Sequence, residues 1–202
     1  MSTMVPGSGG DPKQQLLERA LGYLSEHGIG DISLRELAAA LGTSHRMLIY
    51  HFGSKEGLFV AVVQEADRRQ RQLLASSFVN KDLDLVTLGR SFWRQLRSPA
   101  VAPLMRLFFE LYAQALQGRA YAQPVLAGFP DAWLEPVLPA LMAAGLTEGE
   151  ARAETRLGIA VIRGLLLDVL ATGDLAGVDA AHEAYLAYLA ARQAQRAGDA
   201  PA

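Results

Sequence analysis

Apolar residues recur along most of the chain at intervals of three and four, the spacing of one face of an α-helix. Leu16, Leu17, Ala20, Leu21 and Leu24 form the first stripe. Asp11 precedes it as an N-cap, with Pro12 at the first helical position, and Gly28 and Gly30 close it. Leu34, Leu37, Ala38 and Leu41 mark a second helix, introduced by "SLRE", in which Ser33 caps and Glu36 reaches back. It stops at Gly42, and Ser44 caps a short third helix that runs through His51. After "GSKE", with Ser54 as the next N-cap, a longer helix carries Leu58, Val62, Glu65, Arg69 and Leu73, with "DRRQRQ" on its exposed far side. From residue 82 onward the pattern predicts helices over 83–97, 101–117, 124–144, 148–172 and 178–196. The breaks fall at Ser98-Pro99, Gly118, Gly145-Leu146 and Thr172-Gly173, and "TEGE" at 147–150 is a second capping box. No run of alternating β-branched residues and no hairpin turn interrupts this reading, so the expected fold is all-α. Residues 1–10 are small, Gly- and Ser-rich and aperiodic, and are expected to form a disordered tail.

Composition changes the picture in three places. The 202 residues are half hydrophobic, enough for a sizeable core. The net charge of −2 gives no global attraction to nucleic acid, so any basic site must be local. With no cysteine there are no disulfides, thiolate nucleophiles or thiolate metal sites. The start, "MSTMVPGSGGDPK", lacks the charged and apolar regions of a signal peptide. The longest apolar run, Leu157 to Thr172, is interrupted by Arg163 and Asp168 and is too short to span a bilayer. A soluble, cytoplasmic protein is expected.

The stretch "GTSHRMLIYHFGSK", residues 42–55, concentrates the chemistry. Ala38 lies where two helices cross closely, Gly42 allows a left-handed turn, and Leu37, Leu41 and Leu48 point to a shared core. This is the spacing of a helix-turn-helix, although a plain helical corner has similar needs. With those leucines inward, Ser44, His45, Arg46 and Met47 open the second helix of the motif and face outward. Such a helix offers its first residues to base edges in the major groove. Arg46 suits guanine, His45 a base or phosphate, and Met47 a thymine methyl. Tyr50, His51 and Lys55 lie where phosphates would run, and the helix N-termini near Ser33 and Ser54 add anion-binding N–H groups.

Residues 20–59, "ALGYLSEHGIGDISLRELAAALGTSHRMLIYHFGSKEGLF", resemble the N-terminal DNA-binding domain of TetR family transcriptional regulators. The resemblance implies a helix-turn-helix DNA-binding domain over 11–55 and a helical ligand-binding and dimerisation domain over 56–200. It implies a homodimer, usually a repressor, released from a double-stranded DNA operator by a small-molecule effector. Carried over by position, Arg35, Ser44, His45, Arg46 and Met47 face DNA, and Tyr50, His51 and Lys55 contact its backbone or support the helices that do. Two positions depart from the family pattern: Ile49 replaces a usual tyrosine, and Arg46 a usually small residue. Basic and acidic side chains are equal in number between residues 11 and 76, so non-specific affinity is expected to be modest.

In the second half, Phe92, Trp93, Met105, Phe108, Phe109 and Tyr112 recur at helical spacing. They are read either as core or as the wall of an apolar cavity, with Trp93, Met105, Phe108, Phe109 and Tyr112 as candidate pocket residues and Arg94, Glu110 and Gln114 as candidate polar groups. Helix 148–172 is apolar nearly all round, so two of its faces are expected to be buried. Val161, Leu165 and Val169 on it, with Leu134, Val137, Leu138 and Leu141 of the preceding helix, are assigned to a two-fold interface. Arg163 and Asp168 are read as an interface ion pair, or as intramolecular or exposed groups.

An enzyme is the rival of another class, and the chain offers it no HExxH, no phosphate loop and no nucleophile elbow. His45 and His51 are six apart and do not share a helix face as two ligands of one metal would, so no metal or cofactor is expected. A dimeric ligand- or protein-binding module without operator recognition is the second rival.

Overall fold

A computed structural model describes residues 11–27, 32–79, 84–127 and 131–199. The tail at 1–10 and the glycines expected to end the first helix lie outside them. All the regular structure in the described residues is helical. The order is α1 (Pro12–His27), α2 (Leu34–Ala40), α3 (His45–Phe52), α4 (Lys55–Val79), α5 (Leu85–Leu96), α6 (Ala102–Leu116), a 3₁₀ segment (Ala120–Val125), α7 (Asp131–Leu134), α8 (Leu138–Ala143), α9 (Glu148–Thr172) and α10 (Leu175–Asp199).

The caps read from the sequence start these helices. Asp11 Oδ1 accepts from the Lys13 N–H, and Ser54 Oγ from the Gly57 N–H. Ser33 with Glu36, and Thr147 with Glu150, form reciprocal capping boxes. Exposed Glu36 and Glu150 both titrate below the ordinary carboxylate range, chiefly because the capping hydroxyl donates to the ionised form.

α1, α2 and α3 meet around Leu24, Leu37 and Leu48, all fully buried. α4 leaves this group as a rod of about 37 Å, and α6 packs on both α1 and α4. One continuous core follows, from Leu16 in α1 to Leu166 in α9 and Val178 in α10. α9 and α10 pair with each other, and α10 also packs on α5.

One expected element is absent. The pattern over 124–144 reads as a single helix, and the structure divides it among the 3₁₀ segment, α7 and α8. Pro124 lies inside the 3₁₀ segment and Pro139 in the first turn of α8, with Pro136 between α7 and α8. A proline has no N–H to give and clashes with the preceding turn, so an apolar period of three and four cannot hold a helix across these positions. α10 also starts three residues earlier than the sequence suggested, at Leu175 after left-handed Gly173.

Candidate nucleic-acid interface and internal cavity

The corner between α2 and α3 is built by Gly42, whose φ of +62° favours glycine. Ala38 is 3% exposed, which leaves the close crossing no room for a larger side chain. Arg19 of α1 fixes the turn by donating from Nη1 to the Leu41 carbonyl at 2.8 Å. That role was not read from the sequence. Arg19 is twenty-two residues from its acceptor, so no local spacing announces it.

α3 is anchored by buried Leu48, with Phe52 packed against the core at its end, and presents its first residues. Leu48 is 0% exposed, while His45, Arg46, Met47, Ile49 and Tyr50 are all exposed, Tyr50 at 77%. Ser44 caps α3 by accepting from the Met47 N–H, and Ser33 caps α2, so both hydroxyls are committed within the chain. Arg35 is exposed at the start of α2. Lys55 is half-buried, its Nζ 5.4 Å from the centre of the Phe59 ring. His51 is half-buried. Its Nε2 is enclosed and without a hydrogen-bond partner, and its ring contacts those of Tyr50 and Phe52, so that nitrogen is not presented to a backbone phosphate.

α3 is held tightly against α4. A Cβ on Gly57 would lie 2.1 Å from the Phe52 carbonyl oxygen, so the turn "GSKEGL" requires glycine there. On the other side of α4, Glu65 accepts from Arg68 and Arg69, and Arg69 also bonds Glu18 of α1. Glu65 is 7% exposed, and its arginine partners hold its carboxyl down to about 2. The stretch "DRRQRQ" thus carries this network rather than a merely solvated face.

The far side of α4 borders a cavity of about 230 Å³ among α4, α5, α6, α8, α9 and α10. Of the candidate pocket residues, Met105, Phe108 and Phe109 line it. Trp93 and Tyr112 do not. Trp93 is 2% exposed, stacked on His182 and donating from Nε1 to Asp179 at 2.7 Å. Tyr112 lies beside Phe108 under the Arg163 guanidinium, 5.4 Å from it. The polar groups of the wall are not those expected, since Arg94, Glu110 and Gln114 stay outside it. They include Asp67, Glu154, Arg163, His182, Arg192 and Arg196, with Tyr185, whose hydroxyl burial pushes up to about 12. Asp67 accepts from Trp133 Nε1 and from Arg71. Burial lowers the pKa of Arg163, whose guanidinium is 4.9 Å from the Phe108 ring.

The seven residues assigned to a two-fold interface divide. Leu134, Val137, Leu138 and Leu141 are buried within the protomer, in a small cluster with Leu146 and Ala151. Leu165 and Val169 are half-buried against the main core, and Val161 is half-buried beside them. The prolines explain the first group. Once 124–144 breaks into short helices, its leucines cover α9 from inside. Arg163 faces the cavity, and Asp168 is exposed and accepts from Thr172, so they do not pair along α9. The exposed apolar side chains of α9 are Leu157 and Leu167.

The family model described as bacterial regulatory proteins, tetR family, matches residues 16–62, from α1 into α4. The chain is 34% identical over 65 residues to the HTH-type transcriptional repressor AcnR of Corynebacterium glutamicum, over 32% of this chain and 35% of that protein. It is 28% identical over 96 residues to the HTH-type transcriptional regulator BetI of Pseudomonas fluorescens, over 44% of this chain and 49% of that one. The match therefore spans less than half the length of these curated relatives. Among solved structures, the multidrug binding protein EbrR complexed with ethidium is 27% identical with a TM-score of 0.61, covering 87% of this chain and 97% of that one. A putative transcriptional regulator from a Rhodococcus species is 23% identical with a TM-score of 0.68, covering 90% and 94%, a likeness of fold.

Proposed function

We propose that the chain, whose residues 16–62 match the tetR family of bacterial regulatory proteins, is a member of that family and a cytoplasmic DNA-binding transcriptional regulator, a repressor that sits on a palindromic operator as a homodimer and is released by a small molecule. The observation that carries this reading is α3. One buried leucine anchors it, and His45, Arg46, Met47 and Tyr50 stand exposed on a corner fixed by Gly42. Arg46 reads a base edge, with His45 and Met47 beside it. Arg35, Tyr50 and Lys55 hold the phosphates. The N–H groups at the starts of α2 and α3, capped by Ser33 and Ser44, face the same polyanion.

Two copies are joined through α9 and α10. Leu157, Val161 and Leu167, with the small residues Ala160 and Gly164 between them, give α9 a stripe on which its symmetry mate packs. The cavity behind α4 receives the effector. α4 is its wall on one side and carries the ion-pair link to α1 on the other. An effector that fits the cavity in only one setting of α4 shifts the spacing of the two α3 helices away from the about 34–36 Å of successive major grooves. The test is a titration of the protein against palindromic and scrambled duplexes at fixed salt. Selective binding with two protomers per site supports the reading, and equal binding to both duplexes removes it.

A further inference from the structure

The side chains that α3 exposes include one with no hydrogen-bonding atom. Ile49 is 38% exposed, beside Arg46 and Tyr50, which are exposed too. The apolar residues that hold α3 in place lie elsewhere on the helix, Leu48 fully buried and Phe52 packed against the core. An α-helix turns about 100° per residue. Arg46 and Tyr50 therefore point within about 20° of the direction opposite Leu48, and Ile49 stands about 60° from Arg46 on one flank. Exposed Met47 occupies the other flank. A single exposed isoleucine is ordinary on a protein surface. What distinguishes Ile49 is its place, three residues after the arginine assigned to a base edge.

The chemistry of the major groove narrows what Ile49 can meet there. Its side chain gives nothing to a phosphate oxygen, and nothing to the donors and acceptors of guanine, adenine or cytosine. The base edges in that groove carry one apolar substituent, the 5-methyl group of thymine. Stiffness favours a defined contact. A β-branched side chain in a helix keeps one strongly preferred χ1 rotamer, so Ile49 holds its methyls in a fixed place. Met47, unbranched and flexible, adapts to what it meets. Spacing gives the position. Residues three apart on a helix have Cβ atoms about 5–6 Å apart, and successive base pairs are about 3.4 Å apart. The base pair under Ile49 is therefore one or two steps from the one under Arg46.

We propose that Ile49 is a specificity-determining residue that reads the 5-methyl group of a thymine one or two base pairs from the base that Arg46 takes, an inference that rests on the reading of α3 as the recognition helix. The test uses the full chain and a duplex that it selects from a random library. The base under Arg46 is located first, as the position where Arg46→Ala loses its preference. Each thymine is then replaced by uracil, one at a time, which removes the methyl and keeps the pairing and the O4 acceptor. One thymine within two base pairs of that position is expected to show a loss of affinity of about fourfold, the worth of one buried methyl group. Ile49→Ala is expected to bind the thymine and uracil duplexes equally, so that the two changes do not add. It is expected to keep the base preference under Arg46. Should that variant not fold, NMR contacts between the Ile49 methyls and the thymine methyl in the unsubstituted complex take its place. No uracil penalty near Arg46, a penalty that Ile49→Ala leaves in place, or no methyl–methyl contact in the complex would each overturn the assignment and leave the regulator reading standing. Selection of no sequence at all would overturn both.

Discussion

In the proposed complex Arg46 and Lys55 approach DNA with different tasks, and single substitutions separate them. Arg46 is exposed in the first turn of α3, where a side chain meets base edges. Arg46→Ala is expected to relax preference at one base pair and to cost about 1–3 kcal/mol in binding. Anisotropy titrations against single-base operator variants check this, and unchanged specificity would take Arg46 out of the reading set. Lys55 begins α4 beside Phe59. Lys55→Ala is expected to weaken all sequences alike and to flatten the dependence of affinity on salt by about one phosphate contact. At this scale the sequence was informative wherever one helix decides the outcome. The spacing of Leu37, Leu41 and Leu48 told which way α3 faces, and the structure buries all three. It was uninformative where a second helix decides. The enclosure of His51 Nε2, the bond from Arg19 to Leu41, and the placing of Trp93 behind His182 all depend on partners far along the chain.

α4 is the element that joins the two halves, and its two faces make separable predictions. Glu65 is nearly buried between Arg68 and Arg69, which lower its pKa to about 2 from an ordinary 4.5. A carboxyl held down in the folded state stabilises above its unfolded pKa, and the contribution is lost as pH falls from 4.5 towards about 2. The arginines are nearly half exposed, so screening keeps the effect to about 2 kcal/mol. Urea unfolding at a series of pH values should therefore show a loss of stability across that window, with a smaller loss in Glu65→Gln. At the head of α4, Gly57→Ala forces a methyl against the Phe52 carbonyl. It is expected to lower stability by about 1–3 kcal/mol, read as a fall in melting temperature. The i, i+3 and i, i+4 spacing of Glu65, Arg68 and Arg69 is visible in the sequence. The reach of Arg69 to Glu18, fifty-one residues away, is not. The region 124–144 teaches the opposite lesson. Its apolar period was real but belonged to short helices, and Pro124, Pro136 and Pro139 carried the information that mattered.

For the whole molecule, the proposed function requires two heads at a fixed separation. The leucines of α7 and α8 are spent inside the protomer, so the proposed interface draws on what α9 leaves outside, chiefly Leu157 and Leu167. Leu167→Asp is expected to shift the protein to monomer in sedimentation and to weaken binding to a palindrome by at least about a hundredfold, because the second head no longer binds in tandem. The all-α fold and the corner between α2 and α3 were legible because each rests on local spacing and caps. The cavity's polar groups and the outward face of α9 were not, because they are set by how distant helices pack. The measurement that bears most directly on the central claim is selection of bound sequences from a random duplex library by the full-length protein. A palindrome is expected to emerge, with half-sites about one helical turn apart and strongest selection under Arg46. Recovery of no sequence from folded, dimeric protein would contradict the regulator account and leave the chain as a binding module without an operator.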